Sequence, residues 1–353
     1  MNKSRILIVF IGLFACSVYG QNATDSLLPY QKYSSRLVLY SDFGWSTAPM
    51  SIGYPFPKGM KRVTYRNNFN PVLGFGFSYK WMSARFGVTL PNSVRSRDKF
   101  GKTKYYDLGF DFSFKNMYFD VNWHLYEGYA MKNAYRWNDT ISPTKPNLIR
   151  GDIDASSFSI NAWQFWKEEF KMSAFRGKTA SYQRDVRTFY LKYTTNYHGI
   201  SSNQPLLPKE LQDSTESKTS AKTIAAFDVG VVPGYAYVRR WRIFQFGIMG
   251  GVGVVLQSKL YTFDETTRSF LGLAPRIDIK VIGGINRPKY FIMFVSDFDN
   301  KSIAFNELTY RQTYYYLKLV GGIRLNVTKK KEAREAAEKK AREEEEKKKR
   351  KSL

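Results

Sequence analysis

Asp107, Asp111, Asp120, His124, Lys192, Asp228, Arg276, Asp278, Lys280, Lys318 and Arg324 share one property. Each falls at the polar parity of a stretch whose alternate residues are apolar. Two chemistries suit carboxylates and cations in such number: opposed groups can pair as structural ions, or they can line a narrow polar passage for small solutes. A third, acyl transfer, needs a histidine oriented by a carboxylate and set beside a nucleophile. The chain has two histidines. His124 shares the parity of Asp120 and reads as a hydrogen-bonded interior group, whereas His198 lies near Ser201 and Ser202 without a G-x-S-x-G elbow. Two histidines so far apart make a zinc site improbable. Gly247, Gly250, Gly251 and Gly253 have no helix after them, so they read as close packing within a strand and not as a phosphate cradle. Neither a cofactor, a metal nor a catalytic group is expected.

The elements that would carry these residues are strands. From Asn116 to Tyr126, Met117, Phe119, Val121, Trp123 and Leu125 occupy one face, and Tyr118, Asp120, Asn122, His124 and Tyr126 the other. Leu73 to Trp81 and Tyr106 to Phe114 divide in the same way. A series of long strands, each with a full apolar face opposite charge, points to an antiparallel up-and-down transmembrane β-barrel with the charges in its lumen. Candidate strands span 36–45, 71–81, 83–90, 104–115, 116–130, 153–165, 168–177, 185–198, 224–238, 241–259, 269–286, 288–297 and 312–327. That odd total conflicts with the even number expected of a single-chain barrel. Taking 168–198 as one passage interrupted around 178–184 gives twelve, with short links at 81–83, 115–116, 165–168, 238–241 and 286–288. Long links then fall at 46–70, 91–103, 131–152, 199–223, 260–268 and 298–311. If 62–66 pairs separately, the count is fourteen. Trp45, Trp81, Trp123, Trp137, Trp163, Trp166 and Trp241 fall largely near strand ends, as an aromatic girdle requires.

Lys3 and Arg5 precede an apolar run from Ile6 to Val18 that is too short to span a bilayer, so residues 1–20 read as a secretory signal peptide. Cleavage after Gly20 removes Cys16, the sole cysteine, and with it disulfides and thiolate chemistry. Leu13-Phe14-Ala15-Cys16 is a loose lipoprotein box, so lipidation at Cys16 is the alternative. Residues 21–35 form an N-terminal periplasmic segment, 36–327 the barrel and 328–353 a Lys/Glu-rich tail, helical or disordered. In that tail, Glu343 to Glu346 each stand four residues before Lys347 to Arg350. The tail either stays solvated or docks to a periplasmic partner.

The formal charge of +25 would suit nucleic acid, but a signal peptide argues against it. The leader accounts for +2 and the tail for +5, leaving +18 on the barrel. Loops such as 92–104, where Arg95, Arg97, Lys99, Lys102 and Lys104 face only Asp98, would either meet the phosphates of outer-membrane lipid and lipopolysaccharide or serve general solubility. The final strand ends in Gly322, Leu325 and Val327, resembling the signal read by barrel-assembly machinery.

Tyr65-Arg66-Asn67-Asn68, followed by Pro71-Val72-Leu73-Gly74-Phe75-Gly76-Phe77-Ser78-Tyr79-Lys80-Trp81 and later by Phe170, Lys171, Ala174 and Phe175, resembles a family of uncharacterised outer-membrane β-barrels from the Bacteroidota. Asn67 stands where that family usually has proline. The resemblance covers 36–327 and implies the fold and a Gram-negative outer membrane, but no activity. The expectation is therefore a non-enzymatic outer-membrane barrel, acting as a porin-like small-solute channel or as a structural or docking component. A lipid-modifying hydrolase and a soluble periplasmic ligand-binding β protein are the alternatives.

Overall fold

In the computed structural model, residues 28–91, 94–114 and 116–327 are described. The leader and the tail lie outside them. Twelve antiparallel strands form a closed ring. They are β2 (Leu37–Thr47), β5 (Pro71–Tyr79), β6 (Met82–Thr89), β7 (Lys104–Phe114), β8 (Met117–Met131), β9 (Leu148–Phe165), β11 (Val186–Ser202), β12 (Thr223–Trp241), β13 (Phe244–Phe263), β14 (Thr266–Asn286), β15 (Tyr290–Phe305) and β16 (Leu308–Leu325). β16 pairs with both β15 and β2, which closes the ring and leaves no free edge. Four short strands complete the set: β1 (Tyr30–Lys32), β3 (Met50–Gly53), β4 (Arg62–Arg66) and β10 (Ala180–Tyr182).

The period-two pattern produces a two-faced wall. Phe75, Phe189, Ile248, Val252 and Leu273 point outward and are exposed, the last by 73%, while their neighbours point inward. Outward apolar residues recur on nearly every strand, a belt that lipid, not water, would cover. Among the described residues no helix is long and apolar enough to cross a membrane.

Both termini of the ring lie at one end, here the terminal end, together with the tight turns at 80–81, 242–243 and 287–289. The opposite, loop end carries 54–61, 90–103, 132–147 and 203–222. Several expectations change here. The links 260–268 and 298–311 are not long loops: β13 and β14 meet through Asp264 and Glu265, β15 and β16 through Asn306 and Glu307, with Asp264 and Asn306 at positive φ. Their polar residues resemble loop, but beyond an apolar belt both faces of a paired strand can be wet. Residues 62–66 do pair separately, as β4. The β3–β4 hairpin bridges β16 and β8 above the shorter β2, β5, β6 and β7, so the wall has twelve strands below and a patched rim above.

The largest change concerns 168–177, which is not wall. β9 pairs directly with β11, and 166–185 folds into the terminal mouth as a plug with one helical turn, Met172–Phe175. Its Phe170, Met172 and Ala174 alternate with polar residues like a strand, yet with Phe175 they bury against the inner wall. The tryptophans divide as well. Trp81 and Trp166 in the connections and Trp241 at the end of β12 are exposed at the terminal end, but Trp163 points inward and is buried, and Trp137 belongs to the core under the loops. The parity of β9 sets the first, because Phe158 and Ile160 face out and leave Trp163 on the inner face.

Candidate functional site: the ion-paired lumen and its two closures

Inward positions at mid-barrel hold eight carboxylates, from Asp42, Asp107, Asp111, Asp120, Asp228, Asp278, Asp297 and Asp299. Against them stand eight cations, from Arg85, Arg176, Lys178, Lys192, Arg276, Lys280, Lys301 and Lys318. The lumen is thus charge-balanced, which the low-dielectric interior of a narrow barrel demands. Arg85 grips Asp42 through two nitrogens at 2.6 and 2.8 Å and also bonds Asp107, while Lys318 lies 3.1 Å from Asp107 and 3.8 Å from Asp42. Lys280 pairs with Asp297, Lys192 lies 3.6 Å from Asp278, and both ammonium groups sit over the Trp163 ring.

The two histidines flank Ser157 of β9, each as its register partner from the neighbouring strand. His124 Nε2 is 3.4 Å from Asp107 Oδ1, and its ring stacks on Tyr105. His198 is wholly buried, with Nε2 3.0 Å from Asp228 Oδ2; that carboxylate also accepts from Gln257 at 2.9 Å and from Arg276. Each histidine therefore has its carboxylate. Neither has a serine or threonine hydroxyl in hydrogen-bond contact among the described residues. Ser157, across the β9–β11 pairing from His198, instead accepts from Lys301 at 2.5 Å and donates to Asn196.

Arg324 stands apart from the mid-barrel layer, at the terminal mouth. Its guanidinium donates to the carbonyls of Gly177, Lys178 and Arg287 and to Asn286 Oδ1, the second at 2.7 Å and the last at 2.8 Å. Gly177 and Lys178 belong to the plug. From the other side, Gln245 Nε2 donates to the Ala174 and Phe175 carbonyls at 2.7 and 3.0 Å. Arg176 and Lys178 reach back from the plug to Asp111 at 3.2 and 3.1 Å. Gly247 explains part of the glycine-rich run in β13, because a Cβ there would lie 2.7 Å from the Phe175 ring. β1 pairs with β10 of the plug, so the N-terminal segment is stitched to the same closure.

At the loop end, 203–222 folds over the opening and buries Leu206, Leu207 and Leu211. Arg150, paired with Asp152 at 2.8 Å, donates to the Pro205 carbonyl at 3.0 Å. Tyr65 donates to the Leu206 carbonyl, and Tyr54 to Asp213 at 2.8 Å. Burial beside that carboxylate pushes the Tyr54 phenol up to about 12. Between the closures remain two polar cavities of about 140 and 70 Å³, both touching Asp120, Asn122, His124 and Lys280. Such spaces hold a few water molecules.

Asp42 and Arg85 were legible by the same parity as Asp107, being opposite to Phe43 and Phe86. Asp297 is the last residue of the expected strand 288–297, and Asp299 and Lys301 sit where β15 runs on past that end. Arg176 and Lys178 had no such signal, since they reach the lumen from the plug.

Strands, belt and filled interior together define a closed twelve-stranded transmembrane-type β-barrel. Residues 48–328 match the family described as Domain of unknown function (DUF4421), and the chain belongs to that family. No functionally curated protein matches it. Among solved structures it is similar to the outer-membrane protease OmpT from Escherichia coli (7% identity, TM-score 0.38, covering 84% of this chain and 98% of that one). It is also similar to the translocator domain of the autotransporter NalP from Neisseria meningitidis (8%, 0.38, 91% and 93%). At those values neither likeness carries a functional argument.

Proposed function

We propose that the chain is a non-enzymatic outer-membrane barrel of a Gram-negative bacterium, of the Bacteroidota type its motifs resemble, acting as a structural or docking component with a closed lumen. The observation that carries this reading is the interior itself: sixteen paired charges at mid-height, with a hydrogen-bonded plug below and a folded loop above. A small-solute channel would need that plug displaced. A lipid-modifying hydrolase is disfavoured because both histidines face inward beside carboxylates and neither has a serine or threonine hydroxyl in hydrogen-bond contact among the described residues.

Planar-bilayer recording on the purified barrel, with and without residues 328–353, tests the reading. Steady conductance near the noise level is expected for both forms. Long-lived open steps from the intact chain would overturn the closed-lumen reading and install the channel in its place. A product freely soluble without detergent, showing no heat-modifiable gel mobility, would overturn the membrane reading itself.

A further inference from the structure

The outer face of the rim strands changes character abruptly. On β16 the outward residues Leu325, Ile323, Leu319 and Leu317 are apolar, and then come Tyr315, Thr313, Arg311 and Thr309. At the polar level β4 sends Arg62 and Arg66 outward, on the face opposite buried Val63 and Tyr65. Lys132 is held beside them by its backbone bond to the Thr64 carbonyl at 2.8 Å. Arg95 arrives from the 90–103 loop. That loop is fastened by Asn68, whose Nδ2 donates to the Gly101 and Arg95 carbonyls and whose backbone N–H donates to Thr103 Oγ1.

Arg66, Arg95 and Lys132 are half-buried and close enough to repel one another, and no carboxylate pairs with any of them among the described residues. Burial and that mutual repulsion draw the Arg95 and Lys132 side chains below their ordinary ranges. A second group, Lys61, Arg62 and Arg311, flanks a depression of about 390 Å³ whose one acid is Glu307. Four residues of β4 separate the two groups, about 13 Å at 3.3 Å per residue. Directly beneath lies an apolar shelf of Phe43, Trp45 and Leu317, with Trp45 stacked on Phe69 and Arg95 over both Phe69 and Phe100.

Cations held together without counterions are stabilised by an anion, and planar guanidinium groups favour phosphate. We infer that this rim is a binding site for a multiply acylated glycolipid bearing two phosphates. One phosphate lies among Arg66, Arg95 and Lys132, the other between Arg62 and Arg311, and the acyl chains lie down the Trp45 and Leu317 shelf. The inference rests on the reading of the chain as an outer-membrane barrel with its loop end outward. The binding test needs no conductance and stands or falls separately from the closed lumen.

The full-length barrel in detergent is titrated with diphosphoryl lipid A, with the same lipid enzymatically dephosphorylated, and with phosphatidylglycerol, following tryptophan fluorescence and native mass spectra. Diphosphoryl lipid A is expected to bind at least tenfold more tightly than either of the others. Arg66→Gln/Arg95→Gln/Lys132→Gln should erase most of that preference, and Arg239→Gln/Arg242→Gln at the terminal end should leave it intact. Heat-modifiable mobility reports whether each variant is folded; if the first triple variant is not, Lys61→Gln/Arg62→Gln/Arg311→Gln, all on exposed side chains, decides. Four results would each overturn the site: equal binding of dephosphorylated lipid, equal binding of phosphatidylglycerol, displacement by millimolar inorganic phosphate, or undiminished binding by folded rim variants.

Discussion

Replacing Arg324 with alanine should loosen the plug without opening the wall. The side chain is 5% exposed and spends two of its contacts on plug carbonyls, those of Gly177 and Lys178. Charge-assisted hydrogen bonds contribute about 1.5–3 kcal/mol each, and carbonyls at a mouth can be rehydrated once the guanidinium is gone, so the lower end applies. The loss is then about 3 kcal/mol, or about two orders of magnitude in the population of the detached plug at 1.36 kcal/mol per decade. Gln245, Arg176 and Lys178 still hold the segment, so the parent arrangement remains dominant. Trypsin can cut after Lys171, Arg176 or Lys178 only when the segment leaves the lumen. Where reclosing outruns cleavage, the cutting rate follows the detached population. Limited proteolysis of the folded barrel, with products mapped by mass spectrometry, should show cleavage after Lys171, Arg176 or Lys178 accelerated about a hundredfold, while cuts at exposed Lys167 and Arg184 do not report release, and bilayers should show brief openings absent from the parent. Cleavage within about twofold of the parent would refute the latch assigned to Arg324.

Two other perturbations test the interior and the outer cap. Asp228→Ala strips His198, Gln257 and Arg276 of their shared acceptor and leaves Arg276 buried with Asp299 at 3.8 Å, so denaturant unfolding in micelles should report a loss of about 3–5 kcal/mol; less than 1 kcal/mol would refute the pairing. Tyr54, its folded pKa raised to about 12 from the usual 10, contributes its full stabilisation below pH 10 and loses it as pH rises through 12. The protection factors of amides in 203–222, corrected for the hydroxide-catalysed rise in intrinsic exchange, should accordingly fall across that interval in the parent and show no such step in Tyr54→Phe.

Period-two alternation makes a barrel legible because every wall residue must choose between lipid and lumen. The inward setting of Asp120 and Tyr126 and the outward setting of Trp123 follow from counting alone. The same count misleads at Phe170, Met172 and Ala174, where alternation is present but the partner is a mouth and not a neighbouring strand; nothing local distinguishes burial under Gln245 from burial in lipid. It also falters past Asp297, because above the apolar belt strands no longer need a greasy face. Asn67 and Asn68, noticed as a motif, prove to be corner fasteners, with Asn67 Oδ1 accepting from Thr47 at 2.6 Å. That role needs contacts across loops that sequence spacing does not reveal.

The charge pairing of the lumen joins strands that are remote in the chain. Lys318 meets Asp107 across 211 residues, and it does so from the strand that completes the ring. A slip of one residue as β16 docks on β2 would turn Lys318 toward lipid and leave Asp42 and Asp107 with Arg85 as their one remaining cation, a penalty no apolar interior would impose. The interior thus discriminates between registers of closure: a misregistered barrel carries an unmatched charge on each side of its wall, a larger penalty than a shifted apolar contact would bring.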